Sequence, residues 1–260
     1  MQGKVALVTG AAGGIGAAVV RVLAERGVTV AAVDKDAERL RETVEQTAAE
    51  GGAAVALPVA FPVDVTDSGA VTAAVDAVEN RLGPVDFLVN AAGVLRLGRA
   101  TELSVEDWTT TFAVNTTGVF VVSRAVVDRM ITRRSGAVVT VASNAAAVPR
   151  VNMAAYAASK AAATLFTKTL GLEVAGHGIR CNVVAPGSTD TPMLSSMWHD
   201  ESGPRATVEG DLGTFRVGIP LGKVALPRDI AHAVAFLLSD QASHITLADL
   251  TVDGGAALGV

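Results

Sequence analysis

Runs of Val, Ala and Leu recur near residues 4–9, 28–34, 53–64, 85–90, 136–142, 179–185 and 247–252, and the gaps between them carry apolar positions at helical spacing. A strand that is apolar at nearly every position is buried on both faces, and such strands separated by helices make a parallel sheet. The pattern predicts an α/β fold, a doubly wound parallel sheet of about seven strands with right-handed crossovers. Gly27 stops the first helix, while Asp36 and Asp67 stand where they can cap the second and third. No linker or internal repeat divides the chain, so residues 1–260 are expected to form a single domain. The alternation breaks from Gly187 to Pro220, where Gly203, Gly210, Gly213 and Gly218 lie among Met, Trp and charged residues. A long irregular stretch in a compact domain is usually functional, which makes roughly 187–220 a candidate substrate lid.

Composition narrows the partners. Hydrophobic residues make up 50% of the chain and charged ones 18%, and 21 basic against 26 acidic residues give a net charge of −5. With no basic run longer than Arg133-Arg134, nucleic acid and anionic membrane are not expected as partners. Apolar runs fall short of the roughly 20 residues that span a bilayer. Met1-Gln2-Gly3-Lys4 leads directly into a strand without a secretory pattern, so the cytoplasm is the expected compartment. Cys181 sits in a strand-like run and reads as a core thiol. His177, His199, His232 and His244 have no metal-like spacing, and no metal is expected.

The first strand runs into Thr9-Gly10-Ala11-Ala12-Gly13-Gly14-Ile15-Gly16 at the opening of a helix. In that context Gly10 permits the turn, Gly14 lets backbone approach a pyrophosphate, and Gly16 lets the helix pack closely, with its N-terminus facing the phosphates. This is the Rossmann-type arrangement for a dinucleotide. Asp34 ends the second strand 18 residues after Gly16, where a carboxylate can hold the adenosine ribose and repel a 2′-phosphate. NAD is therefore expected over NADP, with Lys35 partly offsetting that repulsion. Asp64-Val65 and Asn90-Ala91-Ala92-Gly93 close the next two strands at the same rim.

In Tyr156-Ala157-Ala158-Ser159-Lys160 a phenol and an ammonium lie four residues apart, on one face if the stretch is helical. A fixed cation favours a phenolate, and a phenolate can take the proton of an alcohol. Alone, this spacing is common on helices. With the glycine turn, Asn90 to Gly93, Asn115, Ser143 and Pro186-Gly187 in this order, the chain resembles the short-chain dehydrogenase/reductase family over nearly its whole length. The resemblance implies that Tyr156 is the base, that Ser143 orients the reacting oxygen and that Lys160 binds ribose and lowers the Tyr pKa. It also implies a proton relay through Asn115, a contact of Thr189 with the nicotinamide carboxamide, and a homotetramer.

Ala92 to Gly98, Phe112 to Asn115, Val139 to Ser143, Pro186 to Thr191, Ile219 to Lys223 and Val252 to Gly255 are similar to the members of that family that oxidise dihydro aromatic acids. They imply as substrate a cyclohexadiene carboxylic acid, 2,3-dihydro-2,3-dihydroxybenzoate, whose oxidation yields the catechol acid of siderophores. The third-strand region departs by being longer and carrying Pro58 and Pro62. A substrate carboxylate needs a cation. Arg150, seven residues after Ser143, is the first candidate and Arg96 the second, with Met193, Met197 and Trp198 available to close over a ring. The alternatives are the 2-amino analogue, trans-2,3-dihydro-3-hydroxyanthranilate, a generic NADPH carbonyl reductase, and an NAD-binding regulator without turnover.

Overall fold

The computed structural model describes residues 1–51, 56–198 and 200–259. Seven parallel strands form one sheet in the order β3-β2-β1-β4-β5-β6-β7. They are β1 (Val5–Thr9), β2 (Thr29–Asp34), β3 (Val59–Pro62), β4 (Phe87–Asn90), β5 (Gly136–Val141), β6 (Ile179–Pro186) and β7 (Asp249–Val252). The strand order reverses direction between β1 and β4, which opens a crevice at their carboxyl ends.

Because β1 is buried at every position, alternate residues feed two cores. Ala6 and Val8 of β1 join α1 (Gly14–Glu25) and α9 (Pro227–Leu238) on one face. Val5 and Leu7 join α3 (Ser68–Leu82) and α5 (Val119–Arg133) on the other. The anticipated caps form: Asp36 accepts the Arg39 N–H at 3.1 Å at the start of α2 (Ala37–Gly51), and Asp67 accepts that of Ala70 at 2.9 Å. Cys181 is buried in β6, and burial pushes its thiol up to about 12, against the opposing pull of Arg180.

Three expectations change. The third strand covers only Val59–Pro62 of the 53–64 run, of which 53–55 lie outside the described residues. It pairs with β2 alone, and Pro62 is tolerated because an edge strand has no second neighbour needing its N–H. The 187–220 stretch is less irregular than its composition suggests, since Thr191 caps α7 (Pro192–Ser195) and Pro204 opens α8 (Gly203–Glu209). Finally, α4 (Val105–Phe112), a π-helical segment (Ala113–Gly118) and α5 run on as one helix, long and apolar enough by composition to cross a membrane. Half of its most apolar window is buried within the fold, as the core helix of a sheet protein requires.

Candidate active site

The carboxyl ends of β1, β2 and β4 border a trough of about 360 Å³. Its floor is backbone. Gly10 turns with φ +69°, and a Cβ there would lie 2.7 Å from the main chain of Ala91 and Ala92. Thr9 ties the two turns together, its Oγ1 accepting the N–H of Ala91 at 3.1 Å and of Ala92 at 3.2 Å. Gly14, Ile15 and Gly16 bring the positive end of the 12-residue α1 to the same trough. At its far wall the Asp34 carboxylate is held by the N–H groups of Ala12 (3.1 Å) and Asp36 (3.0 Å). Asp64 and Val65 line it as well, the Asp64 carboxyl lying below its usual range chiefly through the Thr66 N–H. A bare-backbone cradle, a helix N-terminus for phosphates and a ribose carboxylate suit a dinucleotide.

The trough differs from expectation at two residues. Asn90 lines neither cavity; its amide is buried and donates to Ser123 at 3.0 Å, so it fixes the end of β4 from inside the core. Arg39, unremarked in the sequence, lines the trough beside Lys35, and a Cβ on Gly13 would strike its Nη2 at 2.7 Å. Only the helical turn that follows Asp34 brings it there.

The trough opens into a second cavity of about 450 Å³, and Ile15, Ala91, Gly93, Thr191 and Met193 border both. Ser143, Tyr156 and Lys160 line this second space. Ser143 stands beyond β5, where its Oγ accepts the Ala145 N–H at 3.1 Å and the hydroxyl opposes the rise of the Tyr156 pKa. Tyr156 and Lys160 sit one turn apart on α6 (Ala154–Val174), with the ammonium 5.8 Å from the phenol ring centre. Lys160 donates to the Val141 carbonyl at 2.9 Å. Asn115 lies in the π-helical segment, where the wider turn lets its side chain reach inward. It donates to the Val94 carbonyl and to Ser159, both at 3.0 Å, and accepts the Val94 N–H at 2.8 Å. A Cβ on Gly93 would stand 3.3 Å from Lys160 Nζ and 3.4 Å from Asn115 Oδ1, so the two side chains close around that glycine.

Burial pushes the Tyr156 phenol above its ordinary value, with Ser143 opposing, and burial brings the Lys160 ammonium down to about 8.

Of the two arginine candidates, only Arg150 lines the substrate cavity, half-buried, with Nη2 3.5 Å from the Ala256 carbonyl. Burial and then the charge of Arg216 lower its pKa, while Asp253 opposes. Arg96 is exposed and ion-paired with Asp107 at 3.4 Å. It stands outside the lining, at the start of α4, where Ser104 is the N-cap and its hydroxyl donates to Asp107 at 2.9 Å. Thr189, Met193, Met197 and Trp198 all border the cavity. Trp198 also packs within its own segment, donating to Thr207 at 3.1 Å. Arg216 was invisible in the sequence, standing in a stretch without periodicity.

Fold and site together define a dinucleotide-dependent oxidoreductase. A model of short chain dehydrogenases matches residues 4–202, and the chain belongs to that family. It is 56% identical over 260 residues to 2,3-dihydro-2,3-dihydroxybenzoate dehydrogenase of Bacillus subtilis (strain 168), covering 100% of this chain and 98% of that one. The enzyme of the same name from Escherichia coli (strain K12) is 44% identical over 259 residues, 99% of this chain and 98% of the other. Among solved structures, levodione reductase superposes with a TM-score of 0.90 at 29% identity, over 100% of both chains.

Proposed function

We propose that this protein oxidises 2,3-dihydro-2,3-dihydroxybenzoate to 2,3-dihydroxybenzoate with NAD, a step of siderophore-type biosynthesis. The observation that carries the reading beyond the family is Arg150, a cation bordering the same cavity as Tyr156 and Ser143, where a ring acid has to place its carboxylate. Relatives that are named for this reaction over nearly their whole lengths support it.

Bound NAD supplies the hydride acceptor. Gly10, Gly14, Ile15, Gly16, Ala91 and Gly93 shape its bed, Asp34 holds the adenosine ribose, Asp64 and Val65 border the adenine end, and Thr189 meets the carboxamide. The Tyr156 phenolate takes the proton of the C3 hydroxyl as the C3 hydrogen departs as hydride. Ser143 donates a hydrogen bond to the same oxygen, and Lys160 with Asn115 carries the proton onward. The ring that remains is a ketone whose tautomer is the aromatic catechol, so oxidation is in effect irreversible. Met193 covers the ring, and residues 187–220 act as a lid on one catalytic domain spanning 1–260.

In this reading the protein works in the cytoplasm as a homotetramer. The exposed side chains of Phe120, Leu165 and Leu172 on α5 and α6 supply apolar surface for a second copy.

The test is incubation with NAD⁺ and either the dihydrodiol acid or its 2-amino analogue, following NADH absorbance and the aromatic product. The dihydrodiol is expected to be the better substrate. Turnover of the amino acid alone moves the assignment to the anthranilate reaction, and turnover of neither overturns it.

A further inference from the structure

Beyond α8 the chain makes a loop with an unusually narrow neck. Gly210 and Gly218 both have positive φ, +87° and +82°. A Cβ on Gly210 would lie 2.4 Å from the Arg216 carbonyl oxygen, and one on Gly218 2.4 Å from that of Val208. Inside the neck, Asp211 and Arg216 exchange two backbone hydrogen bonds, each of 2.9 Å. The turn between them ends at Phe215 with φ +58°, a left-handed conformation that is costly for a bulky residue. Phe215 is left 87% exposed, so its own packing does not repay the strain. What the turn does accomplish is to deliver the next residue, Arg216, to the wall of the substrate cavity.

There Arg216 borders the same space as Arg150, and the two charges act on each other. Asp211, which borders the same cavity, feels the charge of Arg216 but makes no ion pair with it. The Asp211 carboxylate accepts from the Gly213 N–H at 2.9 Å and the Thr214 hydroxyl at 2.7 Å, capping its own turn. Among the described residues the Arg216 guanidinium has neither a hydrogen bond nor an ion pair. The Asp253 carboxylate near Arg150 is occupied by Asn144 and by the N–H groups of Gly255 and Ala257. Two cations facing one cavity repel each other, and an anion received between them removes that repulsion.

We infer that Arg216 is a second carboxylate-binding residue, supplied by the lid, which grips the acid group of the substrate together with Arg150. The inference deepens the reading proposed above and rests on it for the identity of the acid. The pinned backbone spares binding the cost of ordering the loop and leaves only the arginine side chain itself to be fixed.

Titration calorimetry of the NADH-loaded protein with 2,3-dihydroxybenzoate and with catechol, the same ring without its carboxylate, tests this. Wild type is expected to prefer the acid. Arg216→Ala should weaken the acid about tenfold or more and leave catechol within about twofold, with Arg216→Lys recovering part of the loss. Unchanged acid affinity in Arg216→Ala, an equal loss for both rings, or binding of neither ring by wild type overturns the role. If wild type turns over no dihydro acid yet shows the Arg216-dependent preference, the proposed reaction falls and the carboxylate site stands.

Discussion

The two ends of the cleft are built from different material. At the cofactor end, main chain does the work: the β1 and β4 turns touch at Gly10, α1 presents its N-terminus, and Asp34 is held by two backbone N–H groups. At the other end, long side chains do it: Arg150 and Arg216 reach in from separate segments, and Met193 and Trp198 line the same cavity. A backbone-built site fits any molecule with the same phosphates and ribose, and so is shared by enzymes of many activities. A side-chain-built site can change its substrate without disturbing the sheet.

Four measurements press on that contrast. Tyr156→Phe, at the junction, is expected to lower the rate of NADH formation by about 10²- to 10⁴-fold while NAD still binds; near-normal turnover would remove the tyrosine as base.

The buried Lys160 tests the coupling of function to stability. Its folded pKa of about 8 lies below the value near 10.4 of an unfolded lysine, so the unfolded chain binds more protons between those limits. Stability from this group is therefore withheld below pH 8 and regained as pH rises toward 10.4, a swing of about 3 kcal/mol. Urea melts across that window should show Lys160→Met rising less than wild type; parallel curves would mean that the lysine is not desolvated as described.

Arg150→Ala addresses the side-chain end alone and should raise KM for the dihydro acid about ten- to hundredfold, with a smaller change in kcat and none in NAD affinity. A matching loss of NAD affinity would show that the two ends are not separable. Asp34→Ala addresses the backbone end, and should narrow the ratio of NAD to NADP efficiency by about tenfold. Lys35 and Arg39 beside it already favour a 2′-phosphate, so wild type preferring NADP would refute the ribose assignment.

The same contrast explains what could be read from the chain beforehand. Gly10 to Gly16, Asp34 and the pair Tyr156 and Lys160 were legible because regular elements fix their spacing, and a strand, a turn and a helix place them without further information. Ser143 was named through the family resemblance alone, and it stands two residues beyond β5. Arg216 was not, since its position depends on a neck of two glycines and a strained Phe215 that no periodicity announces. Arg96 and Arg150 look alike in sequence and separate only because Asp107 claims one of them. Asn90 was placed at the correct rim but on the wrong side of it, because the direction of one side chain at a strand end depends on the Ser123 hydroxyl across the core.

The π-helical segment at Ala113–Gly118 carries a consequence of another kind. A π-turn closes i→i+5 bonds and so takes up one residue more than an α-turn, as a bulge within the helix. Deleting one residue between 113 and 118 would let the segment close as an α-turn with the buried stripe of α5 still on the sheet, and would withdraw Asn115 from Val94 and Ser159. The spare residue serves the reach of one side chain, so a change of length there would be felt at the site before it was felt in the fold.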